Sequence, residues 1–415
     1  MSFSASCDSS PFAATYKPQD LIDPVVLTQE LIKCQSVTPY EGGALTLLES
    51  WLSCLGFTCH RLRFSDDNTP DVENLFAIRE GKKDFHFCFA GHTDVVPAGP
   101  LQSWSEQPFA AKIKNEHVIG RGAVDMKGGI ACFIAGLAKL FCESTSEIPE
   151  KNQQNSDHHY GEQPDYTLSF LITGDEESVA INGTKKVLEW MKENNYSPDF
   201  CLVGEPTSMQ SLGDTIKIGR RGSLNAKITF TGKQGHVAFP EKSDNPITRL
   251  VNCLAELTKG PKEGKSDFFE PSNLEVTSID VGNATTNLIP EQVTARFNIR
   301  FNDLHSGESL RSWIENTAQK YCKNTDYEFE FSGEAEFVEP DETVAKLANA
   351  IESITAQKPD MTTAGATSDA RFIRHYCPVI EFGLVGETMH QINEQVSVKD
   401  LNTLSEIYKT FLQNI

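Results

Sequence analysis

With 415 residues the chain exceeds one compact core, so two domains are expected, and an apolar fraction of 39% excludes a mostly disordered polymer. The longest apolar run, Ile130 to Ala138, falls well short of the roughly 18 residues that a membrane span needs. Thirty-seven basic against 58 acidic residues leave a net charge of −21, which argues against docking on nucleic-acid phosphates or anionic membranes and suits either a solvated acidic surface or hard cations.

Residues 1–22 are polar and Ser/Ala-rich and are expected to form a flexible tail. From Pro24 a helical period runs through Val25, Leu27, Leu31 and Ile32, and a second through Leu45, Leu48, Trp51, Leu52 and Leu55. Dense apolar runs at Phe85–Ala90, Thr167–Ile172, Phe200–Val203 and Val379–Phe382 have the pattern of fully buried strands. A helix over Gly128–Cys142 lies between the first two. Buried strands interleaved with amphipathic helices predict an α/β fold with a mixed catalytic sheet and helices on both faces. Residues 143–165 interrupt this texture as a polar insertion, with the adjacent His158 and His159 inside it.

Residues 222–334 differ. Leu224, Ala226, Ile228 and Phe230 alternate with polar residues, as do those of Val293–Phe301, and the full succession of strands and helices reads βαββαβ. That order predicts an inserted ferredoxin-like domain whose sheet has one polar face. The α/β domain is thus expected in two parts, 1–221 and 335–415. Eleven singly scattered cysteines with no CxxC pair suit a reducing compartment, and no secretory signal pattern is visible, so the expected location is the cytoplasm.

Chemistry-bearing residues follow directly on the buried strands: Gly91-His92-Thr93-Asp94, Gly174-Asp175-Glu176-Glu177, Gly204-Glu205 and, after a short loop, His390, while Asp125 precedes the 130s helix. Ligands bind outside the carboxyl ends of strands in open α/β sheets, so His92, Asp125, Glu177, Glu205 and His390 are expected on one rim. Two histidines and three carboxylates form a thiolate-free set, too many for one catalytic metal and suited to two that share a carboxylate, for which Asp125 is placed. Asp94 is positioned to accept the other ring N–H of His92, and Glu176, surplus to the ligand count, has the place of a general base. Taken singly, a His-x-Asp is ordinarily a structural hydrogen bond and Asp-Glu-Glu a solvated acidic turn. Their joint occurrence at successive strand exits shifts the balance to metal-dependent catalysis.

The succession GHTDVVP (91–97), GRGAVDMKGG (120–129), TGDEE (173–177), GEPTS (204–208) and His390 resembles the dinuclear-zinc aminoacylase and carboxypeptidase family of metallohydrolases, from about Pro24 to the C-terminus. The resemblance implies two zinc ions, replaceable by cobalt, one held by His92 and Glu205 and the other by Glu177 and His390, with Asp125 bridging. It further implies a homodimer in which the inserted domain is the dimerising lid and His236, in GHVAFP, reaches the partner's active site to steady an oxyanion. Arg220, Ser223, Asn287, Arg300 and Thr367 match contacts to an N-acyl amino acid with carboxylates at both ends. Arg300 has support of its own, sharing the polar face of its strand with Arg296 and Asn298. Phe239, Thr286, Ala366 and Ala370 depart from the usual pattern at substrate-facing positions, the two alanines being expected to crowd the substrate. Another deacylase or a dipeptidase of the same family, and a non-catalytic metal-binding protein of the same fold, remain as alternatives.

Overall fold

A computed structural model describes residues 16–146, 165–264, 266–365 and 368–415. The chain forms two compact units, one of 1–218, 338–361 and 367–415, the other of 219–337 and 362–366. In chain order the first unit supplies α1 (Pro24–Lys33), α2 (Ala44–Cys54), β1 (Thr58–Asp66), β2 (Thr69–Arg79), β3 (His86–His92), α3 (Lys127–Ser146), β4 (Thr167–Thr173), α4 (Thr184–Glu193), β5 (Phe200–Val203) and β6 (Thr215–Lys217). The second supplies β7 (Gly222–Thr231), α5 (Pro246–Leu257), β8 (Asn273–Asp280), β9 (Gln292–Phe301), α6 (Gly307–Tyr321) and β10 (Thr325–Gly333). There follow α7 (Glu342–Thr355), β11 (Asp360–Thr362), α8 (Ala370–Ile373), β12 (Val379–Glu381) and α9 (Val398–Asn414).

The first unit is built on an eight-stranded sheet in the order β1-β2-β4-β3-β5-β12-β6-β11. Strand β3 runs parallel to β4 and β5, and β12 parallel to β5, whereas β2 is antiparallel to both β1 and β4. This is the expected mixed sheet. Every residue of β3 is buried because both its faces are covered. On one side Phe87 and Phe89 meet the helices: Phe89 stacks on Phe133 of α3 with centroids 4.0 Å apart, and Phe87 meets Phe411 of α9 edge-on at 5.5 Å. On the other side Cys88 and Ala90 join Leu171, Val187, Leu188, Met191 and Ile373. Glycine permits the close approach of α3 to β5, since a Cβ at Gly129 would stand 2.6 Å from the carbonyl oxygen of Gly204.

Two expectations need correction. The flexible tail is too long by its last residues: Pro18–Leu21 form a helical turn packed against α3 with Leu21 fully buried, because the leucine gains more from the core than from water. Residues 1–15 lie outside the described residues. Helix α3 runs on to Ser146 rather than stopping at Cys142. Of the polar insertion, 147–164, with His158 and His159, lies outside the described residues. The hairpin β1–β2 is not signalled by alternation, since β1 is at most half-buried along its length.

The second unit carries an antiparallel sheet in the order β8-β9-β7-β10, the ferredoxin-like arrangement of βαββαβ. Leu224, Ala226, Ile228, Phe230, Val293, Ala295, Phe297 and Ile299 pack under α5 and α6 through Leu250, Leu254, Leu310 and Ile314. The opposite face is polar and in register: Ser223 pairs with Arg300, Asn225 with Asn298, Lys227 with Arg296 and Thr229 with Thr294. Caps set the helix starts. Asn245 accepts the amide of Ile247 ahead of α5, and Ser306 that of Ser309 ahead of α6.

Candidate metal centre

The first unit gathers its carboxylates and imidazoles at the carboxyl ends of its parallel strands. His92 is the last residue of β3, Glu177 lies four residues past β4, Glu205 two past β5, and Asp125 sits in the turn that opens α3. His390 comes from the loop between β12 and α9 with a left-handed φ of 62°. Asp125 Oδ1 lies 3.1 Å from His92 Nε2, and its Oδ2 lies 3.1 Å from His390 Nε2. Glu205 Oε1 is 3.9 Å from His92 Nε2, and Glu177 Oε1 is 2.8 Å from His390 Nε2. The donor atoms thus fall into two groups, His92–Asp125–Glu205 and Asp125–Glu177–His390, each with all donors within 4.8 Å of one another and Asp125 common to both.

The backbone carbonyl of Asp94 lies 2.9 Å from His92 Nδ1. A carbonyl can only accept, so Nδ1 carries a ring proton and Nε2 is the nitrogen turned toward the other candidate ligand atoms. The expected partner was the Asp94 carboxylate, which instead stands 3.6 Å away. That carboxylate accepts the amides of Glu176 at 3.3 Å and Glu177 at 3.0 Å and the hydroxyl of Thr38 at 2.9 Å. Three donors outcompete one ring N–H, so Asp94 fastens the loop of Glu176 and Glu177 to the end of β3.

Burial governs the charges. It raises the carboxyl of Glu205 well above the ordinary range, with the Asp125 charge adding to the effect, and pushes Glu177 up to about 7. Glu176 and Asp94 are raised for the same reason. Burial also opposes ionisation of Asp125, but hydrogen bonds from His390 and His92 outweigh it and hold this carboxyl below its usual value. The Asp125 hydrogen bond lifts His390 to about 9; His92 is lifted despite its burial, by Asp125 and Glu205. So many buried carboxylates call for compensating positive charge, and two divalent cations suit a thiolate-free set of imidazole and carboxylate oxygen donors.

Glu176 lines one recess with His92, Glu205, Thr184 and Asp369. Asp369 was missed in the sequence. It is buried and raised to about 7, by burial and then by the neighbouring Glu176 charge. Only its place two residues after Thr367 could have signalled it.

The remaining predicted residues belong to the second unit, apart from Ala370 and from Ala366 and Thr367, the last two lying outside the described residues. His236 is exposed on a short ladder, Gly235–His236 against Leu288–Ile289, and its Nδ1 accepts the amide of Ala238 at 3.0 Å. A neutral ring therefore carries its proton on Nε2. Asn287 is exposed, its carbonyl accepting the amide of Val237. Arg220 donates to the carbonyl of Ser332 at 3.0 Å. Ser223 and Arg300 are register partners on the polar sheet face, where Asn298 donates to Ser223 Oγ at 3.2 Å. Phe239 and Thr286 are exposed. Ala370, in the first unit, is a correction: it is buried in the apolar layer beneath α4, so its methyl group fills core instead of crowding substrate.

Residues 88–147 match the model of Peptidase family M20/M25/M40, and residues 218–326 that of the peptidase dimerisation domain. The succinyl-diaminopimelate desuccinylase of Rhodopseudomonas palustris is 47% identical over 400 residues, covering 95% of this chain and 99% of that protein. The chain belongs to the succinyl-diaminopimelate desuccinylase family. The desuccinylase of Rhodospirillum centenum is 48% identical over 391 residues, 94% of this chain and 97% of its own. Among solved structures, aminopeptidase PepT from Bacillus cereus aligns with a TM-score of 0.71 at 21% identity, covering 95% of this chain and 98% of that one. The YXEP protein of Bacillus subtilis, described as a dinuclear metal binding peptidase from the M20 family, aligns with a TM-score of 0.61 at 16% identity, covering 95% and 98%. These likenesses extend the shared fold to peptidases. Among the described residues no helix is long and apolar enough to cross a membrane.

Proposed function

We propose that the protein hydrolyses the amide of N-succinyl-LL-2,6-diaminopimelate to LL-2,6-diaminopimelate and succinate, as a step of lysine and diaminopimelate synthesis in the bacterial cytoplasm. The observation that carries this reading is the pair of donor groups sharing Asp125, in a chain 47% identical to a desuccinylase over nearly its whole length. His92 and Glu205 would hold one zinc ion and Glu177 and His390 the other, with Asp125 common to both; cobalt has the same ligand preferences and would substitute. Bound there, the metal pair supplies Lewis-acid polarisation of the scissile carbonyl and makes water acidic enough to ionise near neutral pH.

The chain's own groups carry the proton. Glu176, raised by burial and beside the ligand Glu177, takes it from the attacking water and returns it to the leaving amine. Asp94 holds the backbone of Glu176 and Glu177 and so fixes the base against the donors. In a homodimer His236, its Nε2–H directed outward, would donate to the developing oxyanion in the partner's active site. Arg220, Ser223, Asn287, Arg300 and Thr367 would read the substrate's carboxylates and backbone, the guanidinium fork being suited to carboxylate.

The deciding assay follows N-succinyl-LL-diaminopimelate beside N-acetylornithine on metal-stripped protein, with and without added zinc. Zinc-dependent turnover of the succinyl compound alone is expected. Turnover of the acetyl compound alone would assign the chain to another deacylase activity. Two bound metals without turnover of either would leave the proposed substrate wrong.

A further inference from the structure

Away from the donor atoms, the loops of Asp125 and His390 are fastened together by a buried ion pair. Arg121 and Glu394 are 3% and 0% exposed, and Arg121 Nη1 donates to Glu394 Oε2 at 2.7 Å. The same carboxylate accepts three backbone amides of the turn that ends in Asp125: Gly122 at 3.0 Å on Oε2, Val124 at 2.9 Å and Asp125 itself at 3.2 Å on Oε1. The carbonyl of Glu394 in turn accepts the amide of Gly120 at 2.9 Å. From its side, Arg121 donates to the carbonyls of Gln391 at 3.2 Å and His390 at 3.3 Å, and its guanidinium lies 5.3 Å from the ring centre of Trp104. Neither residue belongs to the two donor groups.

The two donor groups are therefore supported differently. His92 and Glu205 leave the adjacent parallel strands β3 and β5, whose register (Ala90 opposite Val203) already sets their spacing. Asp125 and His390 come from loops, and His390 sits in a left-handed backbone conformation that a free loop would seldom adopt. Resting on the metal reading above, we propose that Arg121 and Glu394 are positioning residues that hold Asp125 and His390 in place for the metal position these share with Glu177. A carboxylate is required because both its oxygens accept: a glutamine at 394 would turn an N–H₂ toward groups that only donate, and would leave Arg121 buried without its counter-charge.

The test is calorimetric titration of zinc into the metal-stripped full-length protein, wild type beside Glu394→Gln and Arg121→Lys, with the absorption spectrum of the cobalt-loaded form as a second readout. The wild type is expected to take up two ions per chain. In Glu394→Gln the ion at the position with two loop ligands should bind about 10–100-fold more weakly, the usual cost of losing an outer-shell partner, and the other ion, which depends on these loops through Asp125 alone, should lose a clearly smaller factor. The cobalt bands of the second equivalent should shift. Arg121→Lys, which keeps the charge but loses the fork, should fall between. Equal weakening of both positions, or wild-type affinity at both, overturns the proposal. If Glu394→Gln lacks a cooperative melting transition, Arg121→Lys decides by the same criteria. A wild type that binds no metal would instead overturn the metal reading itself.

Discussion

The two sheets of this protein carry chemistry in different places. Strand β3 is buried along both faces, so its functional residue, His92, stands at its end, where the chain leaves the sheet. Strand β9 buries only alternate residues, so its candidate functional residue, Arg300, lies on its open face in register with Ser223. A sheet covered on both sides has only its ends for ligands, whereas a sheet covered on one side offers a whole surface. The consequences for electrostatics are as different. At the end of β3 the charges are packed into mutual contact, and burial drives Glu205 and Glu177 far from their ordinary behaviour. On the face of β9, Arg296 meets Asp280 in an exposed pair that water screens.

That contrast predicts steep losses in the first unit and graded ones in the second. Replacing Glu176 by alanine should lower kcat by about 10²–10⁴-fold, the span for a positioned base, while two metals per chain and the dimer are kept. Metal analysis, size-exclusion chromatography and turnover on the same preparation check it; near-normal kcat would remove Glu176 from the mechanism. His236→Ala should come next, with kcat down by about 10²–10³-fold and KM changed far less, because an oxyanion donor acts mainly in the transition state. A rise in KM alone would make His236 a substrate-binding residue.

Three of the candidate donors, His92, Glu177 and Glu205, were legible because buried parallel strands read as uninterrupted apolar runs and the polar residues just past each run mark the rim. The βαββαβ unit was legible for the complementary reason, since strict alternation in β7 and β9 identifies strands with one wet face. What escaped has no local signature. Arg121 and Glu394 are separated by 273 positions in the chain, and only the fold makes them a pair. The choice of the Asp94 carbonyl over its carboxylate as partner of His92 depends on what else competes for that carboxylate, namely Thr38 and the amides of Glu176 and Glu177. Leu21 looks like tail because the single apolar pair Leu21-Ile22, set between Asp20 and Asp23, has no period, yet Leu21 is completely buried. Buried Asp369 likewise looks like any acidic turn until its neighbour Glu176 is known.

The smallest effects test the open face itself. Arg300 and Arg296 lie on one strand and one face, four positions apart, yet only Arg300 is expected to contact substrate carboxylate. Losing a hydrogen bond to a charged group costs about 1.5–3 kcal/mol. At about 1.4 kcal/mol per tenfold, Arg300→Met should therefore lower kcat/KM for the succinyl substrate by roughly 10–100-fold, mainly through KM. Arg300→Lys should recover part of the loss, since an ammonium keeps the charge but not the two-pronged geometry. Arg296→Ala removes a pair with Asp280 in which both side chains are more than half exposed, so thermal unfolding should register less than about 1 kcal/mol and steady-state kinetics no change. If Arg296→Ala weakens substrate binding as much as Arg300→Met, the face acts as a diffuse field of positive charge. Raised ionic strength separates the two cases, because a field collapses with salt while a bidentate contact largely survives.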